Sequence, residues 1–237
     1  MQSTGEQLVP GKSKARLVEE HFARYDFALH YTDHKRVLDI ACGTGYGTSI
    51  LAHKANKVVG VDISRDSIDF AKDQYHAENI EFMCASVVDI SFDEGAFDVI
   101  CSFETIEHLE ATVRKQFLVN IRKWLKKDGV FILSTPNKRI TSPFTDKPTN
   151  KFHVLEFTQD QLELELDPYF NIKECYGQRI IHKFLSYRLI YRMMQFIHLL
   201  VHHGIGYYTR ANGLEVVSFD SGKYVPRIMV VVAYPHI

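Results

Sequence analysis

The stretch Val37–Gly47, VLDIACGTGYG, reads as an apolar strand running into a glycine-rich turn, and Asp62 follows at the end of the run VVGVD. Glycines at 43, 45 and 47 let a backbone turn sharply and approach a ligand closely. A carboxylate at the end of the next strand can accept both hydroxyls of a ribose. An adenosine-like ligand is the expectation.

The details of the turn narrow that ligand. A dinucleotide fingerprint reads G-x-G-x-x-G, with its third glycine allowing close helix packing above a pyrophosphate. This chain has G-x-G-x-G, with Thr48 where the third glycine would fall. Asp39 lies four residues before Gly43; an anion there repels a diphosphate and suits an ammonium or sulfonium charge. Asp39, the loop and Asp62 at this spacing resemble motif I of the class I S-adenosylmethionine (SAM) methyltransferases. The alternative is a structural turn of some other α/β protein.

The 237 residues, 46% of them hydrophobic, suit one α/β domain with a modest appendage. With 28 basic against 29 acidic residues, no global field draws the chain onto nucleic acid. The distribution is uneven: from Gln178 onward, Arg179, Lys183, Arg188, Arg192, Arg210, Lys223 and Arg227 face only Glu215 and Asp220. That bias hints at an anionic acceptor. Cys42, Cys84, Cys101 and Cys175 lack C-x-x-C spacing and read as reduced, buried thiols; no metal site is expected. The opening MQSTGEQLVPGKSKARL has no apolar run, so no secretory leader and a cytoplasmic location are expected. No stretch approaches the ~20 apolar residues that span a bilayer.

Leu17, His21, Tyr25 and Leu29 recur at helical spacing, predicting a helical cap over 1–31. Strand-like and helix-like runs then alternate from Arg36 to Ser134, including Arg36 to Ile40, Lys57 to Val61, Ile80 to Cys84, Phe97 to Ser102 and Val130 to Ser134. Such alternation predicts a doubly wound, mostly parallel sheet, seven-stranded in a Rossmann-like methyltransferase fold. Ser64 is placed to cap one helix, and Asp128-Gly129 to end another. The 136–157 segment, with three prolines, reads as a long functional loop on the acceptor side. A short helix, a strand over Asn171 to Tyr176, an insertion over 178–226 and a last strand over Arg227 to Tyr234 complete the single domain.

Within the insertion, Leu185, Leu189, Met193, Phe196 and Leu200 form one stripe and Arg188, Arg192, Gln195 and His202 another, so an amphipathic helix is expected over 183–203. It can serve as a cap packed on the body or as a peripheral membrane-surface helix for a lipid-linked substrate. His198 and His202 stand four apart, but no H-E-x-x-H pattern supports a metal there.

FDVICSFETIEHL, LKKDGVFILSTPN and NKFHVLEFT, with TGEQLVP and EHFARYDFA before them, resemble bacterial class I methyltransferases that act with surface-polysaccharide and sugar-modifying enzymes. The likeness spans residues 3 to about 177. It implies that Asp39, Ala41, Cys42, Gly43 and Gly45 hold the methionine end of SAM and Asp62 the ribose. It also implies that Ile63 packs on the adenine, that Ser86 and Val87 lie at its amino edge, and that Phe103 lines the site. Tyr25 and Arg24 are candidates for the methionine carboxylate, or else helix packing. The chain departs from the pattern with Ala41 for a common glycine, Ser86 for a common aspartate and Gln7 for a common arginine. As a neutral acceptor, Ser86 makes a weaker hydrogen bond than a carboxylate.

Methyl transfer from a sulfonium is an in-line displacement, which asks chiefly for alignment and exclusion of water. A hydroxyl acceptor also benefits from a base. His108, just past the fourth strand, is the first candidate; His153 is the second, with Glu156 as its partner. Both histidines can equally be hydrogen-bonded packing residues. Glu104 and Glu107 are read as orienting the cofactor or capping the next helix. Three functions stay open: methylation of a glycan, nucleotide-sugar or lipid-linked sugar at oxygen; methylation of a small hydrophobic metabolite such as a phenol or quinone precursor; and a non-catalytic SAM-binding partner module. Nucleic acid is not an expected partner.

Overall fold

In the computed structural model, residues 15–187, 190, 193 and 215–236 are described. The chain opens on helix α1 (Ala15–Ala28), extended by one 3-10 turn over Leu29–Tyr31, and enters strand β1 (Arg36–Ile40). Then come α2 (Tyr46–Leu51), β2 (Lys57–Asp62), α3 (Arg65–Gln74), β3 (Ile80–Cys84), β4 (Phe97–Phe103), α4 (Ala111–Trp124) and β5 (Leu125–Pro136). After β5 lie α5 (Lys138–Thr141), α6 (Gln159–Leu166), β6 (Phe170–His182), β7 (Val217–Ser218) and β8 (Tyr224–Pro235).

The sheet order is β3-β2-β1-β4-β5-β8-β6-β7. Strands β1 to β5 pair in parallel, β8 runs antiparallel between β5 and β6, and β7 pairs antiparallel with β6. Winding goes outward from β1 through β2 to β3 and, on the other side, from β4 to β5. The reversal lies between β1 and β4, and open α/β sheets bind ligands at the carboxyl ends of the strands beside such a reversal. Both faces of β1 are covered: Val37, Leu38 and Ile40 are all buried, as a parallel sheet sheltered by helices on both faces requires. Leu38 and Ile40 pack with Phe117, Ile121 and Trp124 of α4, whereas Val37 packs with Tyr25 and Ala28 of α1 and Leu51 of α2.

Eight strands stand where seven are expected. The extra one, Val217–Ser218, is a two-residue edge pairing with Tyr176 and Gly177, too short to leave an alternating pattern. Strand β6 runs on to His182 instead of stopping at Tyr176, so the insertion starts at Lys183 rather than at Gln178. The polar Gln178 and Arg179 interrupt the apolar pattern there, yet Gln178 is fully buried. Its amide accepts from Arg24 at 2.6 Å and donates to the Glu20 carbonyl at 2.9 Å, tying β6 to α1. Asp128-Gly129 does not end α4. The helix stops at Trp124 and the pair lies inside β5, opposite a register shift at Phe97/Val99. Ser64 does cap α3, its hydroxyl accepting from the Ser67 amide. Of the expected 183–203 helix, Lys183–Ser186 form a 3-10 turn and Ile190 and Met193 are helical. Arg188, Leu189, Arg192, His198 and His202 lie outside the described residues. Among the described residues no helix is long and apolar enough to cross a membrane.

Gly47 locks α2 to α1. A β-carbon there would lie 1.9 Å from the ring of Tyr25, which is itself buried. Gly47→Ala is therefore expected to destabilise the protein by about 3 kcal/mol, at the upper end of overpacking costs. Chemical denaturation measures this; a loss below about 1 kcal/mol would mean that the tyrosine simply moves aside.

Candidate active site

The turn after β1 has two ends with different jobs. Ala41, Gly43 and Gly45 all sit at positive φ (62°, 55° and 79°). At Gly45 a β-carbon would strike Ala71 and Phe82 at 2.6 and 2.8 Å, so this glycine is required for packing as well as for its backbone angle. At Gly43 a β-carbon would meet nothing within 4 Å, so the turn faces open space there. Ala41 adopts the left-handed region without being glycine, a conformation that costs an L-residue about 1–2 kcal/mol.

Asp62 closes this open side. Its Oδ2 accepts from the Gly43 amide at 2.8 Å and its Oδ1 from the Ser64 amide at 2.8 Å. The carboxylate is thus aimed across the mouth of the turn, and each oxygen keeps a further lone pair. Ile63, the next residue, is 73% exposed, an apolar side chain standing free beside that carboxylate. The Ala85 amide donates to the Asp62 carbonyl at 3.0 Å, which brings Ser86 and Val87 alongside. The Ser86 hydroxyl accepts from the Val88 amide at 3.4 Å, and the Val87 carbonyl accepts from Asn120 Nδ2 at 3.3 Å. Cys42 is buried with Ile68, Ala71 and Phe82, and burial keeps its thiol protonated, well above the ordinary range. The cysteines are all free. An open glycine turn, a carboxylate across it and an exposed apolar side chain beside that carboxylate fit the adenosine portion of SAM.

Asp39 lies beneath the turn, fully buried. It accepts from Thr48 Oγ1 at 2.6 Å and from the Tyr25 hydroxyl at 3.1 Å. Tyr25 therefore braces Asp39 instead of reaching a ligand carboxylate, and its ring stacks edge-on against Phe103 at 4.9 Å. Arg24 is likewise enclosed, spending one guanidinium nitrogen on Gln178. Burial pushes the Asp39 carboxyl up to about 7, against the pull of its two hydroxyl donors. Its proton is held more tightly in the folded chain than in the unfolded one, so stability falls as pH rises from about 4 to about 7, by at most about 1.4 kcal/mol per unit. Asp39→Asn is expected to remove that slope. Thermal unfolding across pH 4 to 8 tests it, and parallel slopes in the two proteins would refute it.

The second half of the site follows β4. Phe103 ends the strand, Glu104 takes a positive φ of 52°, and a 3-10 turn carries Glu107 and His108. Neither glutamate caps α4. Glu104 accepts from Ser134 Oγ at 2.7 Å, and Glu107 Oε2 accepts from Thr135 Oγ1 at 2.9 Å. Glu107 also has its backbone carbonyl bound by the amides of Val154 and Leu155 at 2.9 and 3.1 Å, which docks the 151–157 loop on this turn. Burial, with the Glu104 carboxylate nearby, pushes the Glu107 carboxyl well above its ordinary value.

That docking brings His153 against His108, ring centroids 4.9 Å apart and nearly perpendicular. His153 Nδ1 lies 2.8 Å from Glu156 Oε1, and its Nε2 lies 2.8 Å from Asn150 Nδ2; His108 Nδ1 lies 3.1 Å from the Phe152 carbonyl. Burial alone would raise the Glu156 carboxyl, but hydrogen bonds from His153, Ser142 and Thr141 hold it below its ordinary value. The two histidines singled out in the sequence thus meet, with Glu156 behind one of them. Glu107 joins that pair, one ligand atom of each of the three lying within 4.8 Å of the others, and this was not legible in the sequence. Adjacency of Glu107 and His108 was visible, but nothing local signals that His153 returns to them.

A family model described as a methyltransferase domain matches residues 38–133, from β1 into β5. A relative from Mycolicibacterium smegmatis named "Probable S-adenosylmethionine-dependent methyltransferase" is 29% identical over 176 residues, covering 73% of this chain and 67% of that protein. A ubiquinone biosynthesis O-methyltransferase from Pelagibacter ubique is 31% identical over 137 residues, covering 54% of this chain and 55% of that protein. The chain thus spans between about half and two thirds of the length of these relatives. Among solved structures, a protein from Pyrococcus horikoshii OT3 superposes with a TM-score of 0.64 at 20% identity, covering 94% of this chain and 93% of that one, a likeness of fold alone. Residues 38–133 match the methyltransferase domain, and the doubly wound sheet and the open glycine turn faced by Asp62 make the chain similar to the class I SAM-dependent methyltransferases.

Proposed function

We propose that this methyltransferase acts on a hydroxyl oxygen, and that its acceptor is a sugar or glycan, free, nucleotide-linked or lipid-linked. The observation that carries the oxygen is the His108–His153 pair with Glu156 2.8 Å behind His153 Nδ1. A carboxylate that fixes the imidazole's orientation keeps the lone pair on the far ring nitrogen, where Asn150 Nδ2 lies at 2.8 Å and would have to give way before that nitrogen takes a proton or holds a cation; a weakly acidic hydroxyl needs such activation and a more nucleophilic amine or thiol does not. SAM, when bound, supplies a methyl group on sulfonium, whose carbon–sulfur bond breaks with the electron pair left on sulfur.

In this reading Asp39, the 41–45 turn and Asp62 hold the methyl donor, Ile63 covers its adenine, and Ser86 and Val87 stand at the adenine edge. His108 and His153, on the turn after β4 and the loop docked on it, receive the acceptor. The sugar assignment rests on the resemblance of the FHVLEF and front segments and on the basic residues after Gln178, which suit an anionic or lipid-linked acceptor. A second reading, a phenol or quinone precursor, is favoured by the O-methyltransferase relative and by Phe152 and Val154, both about 40% exposed beside His153.

Incubation with methyl-labelled SAM and a panel of nucleotide-sugars, glycans and catechols, with the product bond assigned by NMR, tests the proposal. Label on a sugar oxygen supports it, and label on a catechol oxygen selects the second reading. Label only on nitrogen, or none on any acceptor despite SAM binding, would overturn it.

A further inference from the structure

We propose that Glu107, His108 and His153 form a binding site for one divalent first-row transition ion, of the Mn2+ or Zn2+ class, and that this ion takes the acceptor hydroxyl. The second half of the proposal rests on the oxygen-directed reading above; the first half does not.

The three side chains offer ligand atoms that all lie within 4.8 Å of one another. Ligands about 2.1 Å from a common ion stand roughly 3–4 Å apart, so small rotamer adjustments close the set around an ion. The carboxylate supplies an independent indication. Glu107 is fully buried, and although its Oε2 accepts from Thr135, its Oε1 is enclosed with no hydrogen-bond partner. A buried polar atom without a partner costs about 1–3 kcal/mol, and buried oxygens left so are rare unless something else satisfies them. A cation between Glu107 and the two rings would do so.

The Nδ1 partners of the two rings are those that metal-ligating histidines make. His153 Nδ1 faces the Glu156 carboxylate and His108 Nδ1 faces the Phe152 carbonyl; both partners only accept, so each Nδ1 carries the hydrogen. Each ring then has its lone pair on Nε2. At His153 the Asn150 amide donates to that same Nε2, as this tautomer predicts, and an ion would replace it. Histidines that ligate metals through one nitrogen almost always donate the other N–H to a carboxylate or backbone carbonyl, which fixes the ring and raises its basicity. Glu156 is itself fixed, 2% exposed and bound by Thr141 Oγ1 at 2.5 Å.

Two imidazoles and one carboxylate are a poor set for Ca2+ or Mg2+, which take oxygen ligands, and a good one for Mn2+, Fe2+ or Zn2+. Three protein ligands also leave coordination positions open. An acceptor hydroxyl entering one of them would lose its proton to water more readily, its oxygen keeping the electron pair beside the positive ion, as metal-bound water does. A sugar diol and a catechol share this chemistry.

The test uses the full chain, freed of metal by dialysis against EDTA and titrated with MnCl2 and, separately, ZnCl2, with no acceptor present. Calorimetry, metal analysis and the Mn2+ electron paramagnetic resonance signal report binding. One ion per chain is expected, with Glu107→Gln and His153→Asn each weakening it at least 100-fold. Glu156→Gln, which acts through His153, should weaken it about 10-fold. SAM affinity measured on every variant shows that the fold is intact, and the wild-type stoichiometry stands whether or not a variant folds. Wild-type protein that binds SAM but no ion would overturn the proposal, as would ion binding unmoved in both ligand variants. Methylation of a hydroxyl at full rate by the ion-free protein would overturn the role of the ion alone, whereas an ion bound at this site with no hydroxyl acceptor methylated would overturn the oxygen reading alone.

Discussion

Replacing Asp62 with alanine is expected to weaken SAM binding about 100-fold while moving acceptor affinity far less. In the folded chain the Asp62 carboxylate already accepts one backbone amide on each oxygen, from Gly43 and Ser64, and so is held rigid with further lone pairs free. Two ribose hydroxyls can use them at little ordering cost. Hydrogen bonds to a charged group contribute about 1.5–3 kcal/mol each. Allowing for water that replaces part of this in the variant, a net loss of about 3 kcal/mol corresponds to roughly two orders of magnitude in Kd. The substitution also frees the Gly43 amide and loosens the turn, which adds to the loss. Asp62→Asn keeps one acceptor oxygen and should fall between the two proteins. Calorimetric titration with SAM decides: an affinity within threefold of wild type would remove Asp62 from the ribose.

The parallel half of this fold was legible because its signals are local. Strand β1 is a short apolar run punctuated by glycines, and each of β1 to β4 lies where alternation places it to within a residue or so. The departures all occur where a distant partner decides. Gln178 and Arg179 read as the start of a polar insertion, yet contacts from Arg24 and Glu20 some 150 residues earlier keep Gln178 in a strand. Asp128-Gly129 carries a helix-stop signal, but pairing of β5 with β4 starts at Leu125 and absorbs it. Val217–Ser218 becomes a strand only because β6 presents an edge to it.

The site divides in the same way. Asp39, the glycine turn and Asp62 were legible because strand, turn and strand follow directly in the chain. Tyr25 is open in the sequence to the methionine carboxylate or to helix packing; its hydroxyl lies on Asp39, and the depth of α1 against the turn follows from the absent side chain at Gly47. His108 and His153 were each singled out, but their juxtaposition depends on two backbone hydrogen bonds from Val154 and Leu155 to the Glu107 carbonyl, which no pattern encodes. The partnership of Glu156 with His153 was readable from three-residue spacing; that of Glu107 was not.

His153→Ala is expected to lower turnover by between 100-fold and 10,000-fold with SAM affinity within twofold of wild type, the range that a positioned proton-accepting or hydroxyl-activating group spans. His153 lies on the loop docked over the turn after β4, while the 41–45 turn and Asp62 belong to β1 and β2, so the two losses separate. The substitution also takes a donor from Glu156, which keeps Thr141 but stays buried, at a cost of about 1–3 kcal/mol in stability. Turnover must therefore be compared well below the unfolding temperature, and SAM titration on the same sample confirms the folded fraction. Glu156→Gln is the discriminating companion. It preserves volume and a hydrogen bond to Nδ1 while removing the charge, so a role in orienting His153 predicts an intermediate loss, about tenfold, in kcat more than in KM. If His153 served packing alone, His153→Ala would lower stability by the same amount yet leave kcat within a few-fold of wild type, and that result would assign the activation of the acceptor elsewhere.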